Sequence, residues 1–239
     1  YQYLSSRRRL NIMGLGSSFG MSAETSNNIQ TKGLDFYVDF AYKATNSRAG
    51  STAHDLAGSN DLTLQSTTLD ANDYVSYDGN DDYMTTNFDP PSGNSTYTAW
   101  VYWQDTADPW QAIFNSASST LYLWFGRSGD GQLYLHHHND NNTNHRTFTG
   151  NSTLAEDEWI HVASTWDGSA IKLYINGVLT SSTTQGTPAN ITSADGIWIG
   201  RYNNDYHGGR IGQLCVYSRA LTAGQILQNY NASKERFGL

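Results

Sequence analysis

The sequence predicts an all-β, antiparallel chain closed by one short C-terminal helix, and three observations carry that reading. Apolar residues alternate at a period of two in one short segment after another. Asp-Gly and Asn-Gly pairs punctuate those segments, where tight hairpin turns need residues that tolerate positive φ. Aromatic residues reach 13% while charged ones stop at 15%, and the polar remainder is rich in Ser, Thr, Asn and Gly, a mix that suits short strands and turns and argues against disorder or a helical bundle. A length of 239 residues is compatible with a single sandwich-sized core.

Taken in order, residues 1–32 show neither helical nor strand periodicity. They combine Arg7, Arg8 and Arg9 with Leu10, Ile12 and Phe19, more apolar character than a solvated tail requires. The expectation is an arm that orders by docking on a neighbouring subunit, with a free terminus as the alternative. The glycines and serines after Arg9 make a poor apolar region for a cleaved leader, and the start at Tyr1 leaves a preceding segment open.

Leu34 to Tyr42 reads as the first strand and Leu62 with Leu64 as a second. Tyr74 to Tyr77 and Tyr83 to Thr85 bracket the run Asp78-Gly79-Asn80-Asp81-Asp82. That run reads as a turn; ligation of calcium by Asp78, Asp81 and Asp82 is the alternative, because calcium takes carboxylate oxygens. Tyr97 to Trp103 is apolar on both faces, as in a strand covered on both sides or one whose second face lines an aromatic groove. Ile113-Phe114, Leu121 to Phe125 and Gln132 to His138 follow, the last two as a hairpin across the glycine-rich loop 126–131. In its return strand, Tyr134, His136 and His138 share one face. With His145 nearby they are ligand types for zinc or copper, but no cysteine or carboxylate spacing completes a site, and they read as polar residues of a partly exposed sheet.

The clearest stretch is 158–178. Trp159, His161, Ala163 and Thr165 alternate with Ile160, Val162 and Ser164, the pattern of a half-buried strand. Asp167-Gly168 turns the chain, Ala170 to Ile175 returns it, and Asn176-Gly177 turns it again into Val178 to Thr180. The result is a three-stranded meander. Gly196 to Gly200 and Arg210 to Tyr217 read as the closing strands. Between them, Arg201, Tyr202, Asn203, Asp205, Tyr206 and His207 form a loop whose aromatic faces, amides and charges suit sugar C–H surfaces and hydroxyls. Trp103, Trp124, His136 and His138 join this loop as candidate ligand-binding residues. Finally, Thr222 and Gln225 make a capping box for a helix whose buried side is expected at Ile226, Leu227 and Tyr230.

The ordered set His161, Thr165-Trp166-Asp167-Gly168, Leu173-Tyr174 and Asn176-Gly177 resembles the central signature of laminin-G-like, concanavalin A-like domains. Gly33 to Phe40, His54-Asp55-Leu56 and Val75 to Tyr83 resemble their opening strands, and Ile197 to Gly200 with Gly209 to Thr222 their closing ones. The resemblance covers residues 33–239 and implies a two-sheet antiparallel jelly-roll sandwich with the arm in front. The tail through Arg236-Phe237-Gly238 resembles the ending of such domains in tailed bacteriophages. A virion surface protein is the expectation: a capsid decoration, fibre or tail component, assembling with other virion proteins and with itself, a trimer among the symmetries open to it. Cell-surface glycans are the expected ligands, and a secreted, calcium-dependent lectin is the alternative.

Calcium binding occurs in parts of this family, but the chain has Gly212-Gln213 where an acidic residue often follows the closing-strand isoleucine. Related glucanases carry ExDxxE on one strand, whereas Glu156-Asp157-Glu158 is consecutive and precedes its strand, so an enzyme is not expected. A formal charge of −8 repels nucleic acid, and no run approaches a membrane span. Cys215 is the single cysteine and has no intrachain disulfide partner.

Overall fold

The computed structural model describes residues 28–42, 45, 50–67, 69, 73–91, 93–104, 110–116, 122–138, 144–149, 154–184 and 196–239, with the backbone alone for 122, 137, 138, 144–146 and 148. Period-two alternation builds β1 (Leu34–Asp39), β2 (Thr52–Ala53), β3 (Leu62–Gln65), β4 (Val75–Asp78), β5 (Tyr83–Thr86), β6 (Ser95–Trp103), β7 (Gln111–Ser116), β8 (Tyr122–Arg127) and β9 (Leu133–His138). The chain continues through β10 (Asn144–Phe148), β11 (Trp159–Trp166), β12 (Ala170–Ile175), β13 (Val178–Thr184), β14 (Ile197–Ile199), β15 (Arg201–Tyr202), β16 (Asp205–Tyr206) and β17 (Gly208–Tyr217). Helix α1 (Ala223–Ser233) and a 3-10 turn (Lys234–Phe237) close it.

Two antiparallel sheets stack face to face, in the jelly-roll sandwich that the resemblance implies. Sheet I runs β1-β17-β6-β11-β12-β13, with β4 paired to the first half of β17 beside β1 on the second half. Sheet II runs β10-β9-β8-β7-β14-β5-β3-β2. Between them lie Phe36, Val38, Leu62, Met84, Val101, Trp103, Phe114, Phe125, Val162, Leu173, Ile199 and Leu214, all at most 1% exposed. Burial of such side chains, about 1.5–3 kcal/mol each, holds the layers together.

The central meander forms as its turns predict. Asp167 Oδ1 accepts the backbone N–H groups of Ser169 (3.0 Å) and Ala170 (2.9 Å) while Gly168 takes φ 89°. Asn176 and Gly177, at φ 50° and 79°, make the second turn, the positive-φ pair of a type I′ hairpin. The structure corrects the half-buried reading of β11, which is buried on both faces. Ile160 and Val162 face the inter-sheet core, whereas Ala163 joins Tyr174, Cys215, Tyr217, Leu221 and Ile226 in a second cluster beneath α1. Local alternation registers neither the helix nor what it covers.

Helix α1 carries the expected capping box at Thr222 and Gln225. Its buried stripe differs: Ile226 and Asn229 are buried and Leu227 is 43% exposed. Asn229 is drawn inward because it accepts from Gln30 N–H (2.8 Å) and donates to Tyr217 Oη (2.9 Å). Residues 28–32 of the expected arm thus lie against the chain's own helix, with Arg219 Nε also donating to Lys32 O at 2.7 Å. The first strand stops at Asp39 rather than Tyr42, since Asp39 Oδ1 accepts Ala41 N–H and its carbonyl accepts Tyr42 N–H, turning the chain. The segment 78–82 joins strands of different sheets, β4 in sheet I and β5 in sheet II. No helix among the described residues is long and apolar enough to cross a membrane.

Candidate functional site

Helix α1 and the 3-10 turn cover the outer face of sheet I, so the outer face of sheet II is where the strands display side chains away from the core. Alternation sends Leu123, Phe125, Leu133, Leu135, Ile197 and Ile199 inward. Register then aligns the outward residues. His136 opposes Trp124, Trp124 opposes Asn115, Asn115 opposes Trp198 and Trp198 opposes Thr85, one row across β9, β8, β7, β14 and β5.

Around Trp124 the row becomes a narrow aromatic slot in which Trp124 is 2% and Tyr134 6% exposed, with Trp110 and Tyr202 half-buried at its edge. The Trp124 ring meets Trp110 edge-on at 5.6 Å, Tyr134 at 5.1 Å and Tyr202 edge-on at 6.0 Å, while Tyr134 lies 5.7 Å from His136. Tyr202 comes from a β15–β16 hairpin that packs over β7, where the sequence predicts a loop. Within the slot, Trp124 Nε1 and Asn115 Oδ1 are buried without a hydrogen-bond partner among the described residues. An unsatisfied buried polar group costs about 1–3 kcal/mol, so an adjacent donor and acceptor left bare call for a ligand hydroxyl or another functional explanation.

Next to the slot, Arg201 places its guanidinium over three rings: Trp198 (4.5 Å), Tyr83 (4.7 Å) and Tyr206 (5.4 Å). Its Nε donates to Asn203 O at 2.8 Å. Asn203 stands exposed at the hairpin tip with φ 53°, and Asp205 pairs with Tyr202 across the hairpin.

The structure thus gathers Trp124, His136, Arg201, Tyr202, Asn203, Asp205 and Tyr206 on one face. It does not place Trp103 or His207 there, and both are corrections. Trp103 is 0% exposed in the inter-sheet core. His207 is equally buried, edge-on to Tyr77 at 5.2 Å and to Trp103 at 6.3 Å, because the chain re-enters sheet I at Gly208 immediately after the hairpin. Burial lowers the His207 pKa to about 3, so its ring is neutral. For His138 and His145 the strand positions are described and the side chains are not. Arg7, Arg8, Arg9, Leu10, Ile12 and Phe19 lie outside the described residues. Sequence reasoning missed Tyr83, Trp110, Asn115, Tyr134 and Trp198. Trp198, alternating between Ile197 and Ile199, carried a legible signal; Asn115 carried none.

At the sheet I to sheet II crossing, Asp78, Asp81 and Asp82 bring carboxylate oxygens within 4.8 Å of one another. Donation from Asn80 N–H (2.8 Å) lowers the Asp78 pKa, whereas burial, with Asp78 and Asp81 as like charges, raises that of Asp82. Oxygen donors converging under mutual repulsion fit part of a calcium shell, the remaining ligands having to come from backbone carbonyls or water.

A model of the concanavalin A-like lectin/glucanase superfamily matches residues 78–227, from the acidic turn into α1. The chain belongs to this superfamily. No curated protein matches it in sequence. Among solved structures, this concanavalin A-like chain is similar to the receptor binding domain of botulinum neurotoxin C/D mosaic serotype, with TM-score 0.67 and 14% identity over 84% of the chain and 51% of that domain. The botulinum neurotoxin serotype D ligand binding domain, in complex with N-acetylneuraminic acid, gives TM-score 0.65 and 15% identity over 84% and 51%. The chain therefore spans about half the length of these neurotoxin domains. Domain 4 of AbnA, an extracellular arabinanase of Geobacillus stearothermophilus, in complex with arabinotriose, gives TM-score 0.64 and 18% identity over 82% of the chain and 98% of the domain. At these identities the likeness is one of fold.

Proposed function

We propose that this chain is a non-enzymatic adhesion module that binds glycans on the outer face of sheet II. The observation that carries the reading is the slot itself: aromatic side chains around Trp124 Nε1 and Asn115 Oδ1, a buried donor and acceptor with no partner among the described residues. Sugars offer C–H faces to aromatic rings and hydroxyls that both give and take hydrogen bonds. Superfamily membership supports the reading, and two structures of similar fold were solved with sugars bound. The non-enzymatic part rests on the sequence, which has no ExDxxE run and in which Glu156-Asp157-Glu158 is consecutive and precedes its strand.

A glycan array of the full chain, run with calcium and again with chelator, tests the reading. Binding should be lost in Trp124→Ala and weakened in Tyr202→Ala, a half-buried hairpin residue whose removal spares the core. A flat array for the wild-type protein at concentrations suited to weak multivalent binding would reject it.

The setting we propose is a virion surface, with residues 1–32 as a docking arm holding the domain to other virion proteins or to further copies of itself, a trimer among the arrangements. The phage-like Arg236-Phe237-Gly238 ending and the apolar character of the arm support it. Removing residues 1–27 should abolish assembly and leave a folded domain that still binds sugar. The convergence of Asp78, Asp81 and Asp82 favours a second reading, a secreted calcium-dependent lectin, for which binding would vanish on chelation and survive loss of the arm.

A further inference from the structure

We propose that Arg201 makes the sheet II face selective for acidic glycans, its guanidinium anchoring a sugar carboxylate beside the Trp124 slot. This rests on the glycan-binding reading of the same face and names the class of sugar it takes.

Arg201 is built as a receptor rather than as a structural ion pair. Three aromatic rings surround the guanidinium, and Nε is committed to Asn203 O. Both Nη groups keep their N–H donors, and no carboxylate pairs with them among the described residues. Three other cations are held by carboxylates: Arg127 pairs with Glu156, Lys172 with Asp167 and Arg236 with Asp39. A planar fork of N–H donors matches a carboxylate bidentately, and stacking restricts the side chain before any ligand arrives, reducing the entropy lost on binding.

Position supplies the second argument. Arg201 stacks on Trp198, which opposes Asn115, which opposes Trp124. Cation and slot are therefore about two strand spacings apart, on the order of 10 Å, the span of a disaccharide. One sugar ring against the half-buried Trp110 and Tyr202 at the slot's edge puts a carboxylate on its neighbour within reach of Arg201. The chain's formal charge of −8 opposes an acidic ligand at long range. At physiological ionic strength that field is screened beyond about 8 Å, while a direct bidentate contact is not.

The test is calorimetric titration of the full chain with matched probes: sialyllactose, its carboxyl methyl ester and lactose, then digalacturonate, its methyl ester and digalactose. In at least one series the wild-type protein should bind the acid about tenfold or more tighter than its ester, as one charge-assisted pair gives. Arg201→Gln should bring that ratio to about one, and Arg201→Lys, which keeps the charge without the fork, to an intermediate value. Arg210 sits over Tyr74 and Tyr102 on sheet I, so Arg210→Gln removes the same charge elsewhere and should leave the ratio intact. Equal affinity for acid and ester in both series overturns the proposal while leaving glycan binding standing, as does a preference that survives in Arg201→Gln. Absence of binding to every probe, neutral ones included, overturns both.

Discussion

The Phe237 ring lies over Gly212, so close that a Cβ added there would stand 2.6 Å from Phe237 Cε1. Gly212 occupies the register shift where β17 passes β6 between Ile211 and Gln213, and Phe237 stacks there on Trp100 at 4.4 Å and against Trp159 at 4.7 Å. The neighbouring Gln213 donates to Asp39 Oδ2 at 2.8 Å, and Asp39 Oδ1 receives Arg236 Nη1 at 2.8 Å. The Gly212-Gln213 pair, where the family often carries an acid, is thus the seat for the chain's own Arg236-Phe237.

Gly212→Ala should unseat the tail, costing about 1–3 kcal/mol by overpacking. Phe237→Ala empties the seat and should cost about 3–5 kcal/mol. Urea denaturation of the double mutant should show less than the sum, since both changes disrupt one contact.

Arg236→Met should cost about 3 kcal/mol, because Asp39 is 1% exposed and would lose its cation. Adding Asp39→Asn should restore part of that loss in the same denaturation assay, since the remaining donors then face a neutral group.

Acid should weaken the fold through two buried histidines. His161 lies beneath the tail, 5.3 Å from Trp100 and 6.0 Å from Tyr230, and burial lowers its pKa to about 3, like that of His207. The unfolded chain protonates near pH 6.5 and the folded one does not, so the contribution is complete above 6.5 and lost as pH falls toward 3. Each histidine contributes a slope of about 1.4 kcal/mol per pH unit in that window. His161→Gln should flatten the measured dependence of stability between pH 6 and 4; an unchanged slope would contradict this origin.

Cys215 should resist alkylation in the native protein. It is 0% exposed, and burial pushes its thiol up to about 12. Iodoacetamide should label it only as denaturant opens the sandwich, so labelling reports global unfolding.

Calcium should raise Tm if Asp78, Asp81 and Asp82 ligate it, by the equivalent of about 2.7 kcal/mol at a hundredfold excess over Kd. The shift should grow as pH rises through the carboxylate range and vanish in Asp82→Asn. Identical melting curves with calcium and with chelator would count against the site.

Much of the architecture was legible residue by residue. Asp167-Gly168 and Asn176-Gly177 announced their turns, Thr222 and Gln225 their cap, and the 201–206 segment its aromatic and amide chemistry. What was not legible had a common cause. Trp103 and His207 read as surface aromatics because alternation assigns faces without saying which face is inside. Asn115 was invisible because its importance comes from Trp124 and Trp198 on either side of it, set there by strand register and, for Trp198, by a strand distant in sequence.

By itself the sequence determined most of the strands, the turns of the central meander, the capped helix and the superfamily, because alternation, positive-φ residues and side-chain caps act within a few residues of one another. Only the tertiary structure decided that α1 covers sheet I while sheet II displays the row from His136 to Thr85, and that Gly212 seats Phe237. Those outcomes depend on which face each layer buries and on the register between strands far apart in the chain, and local chemistry carries neither.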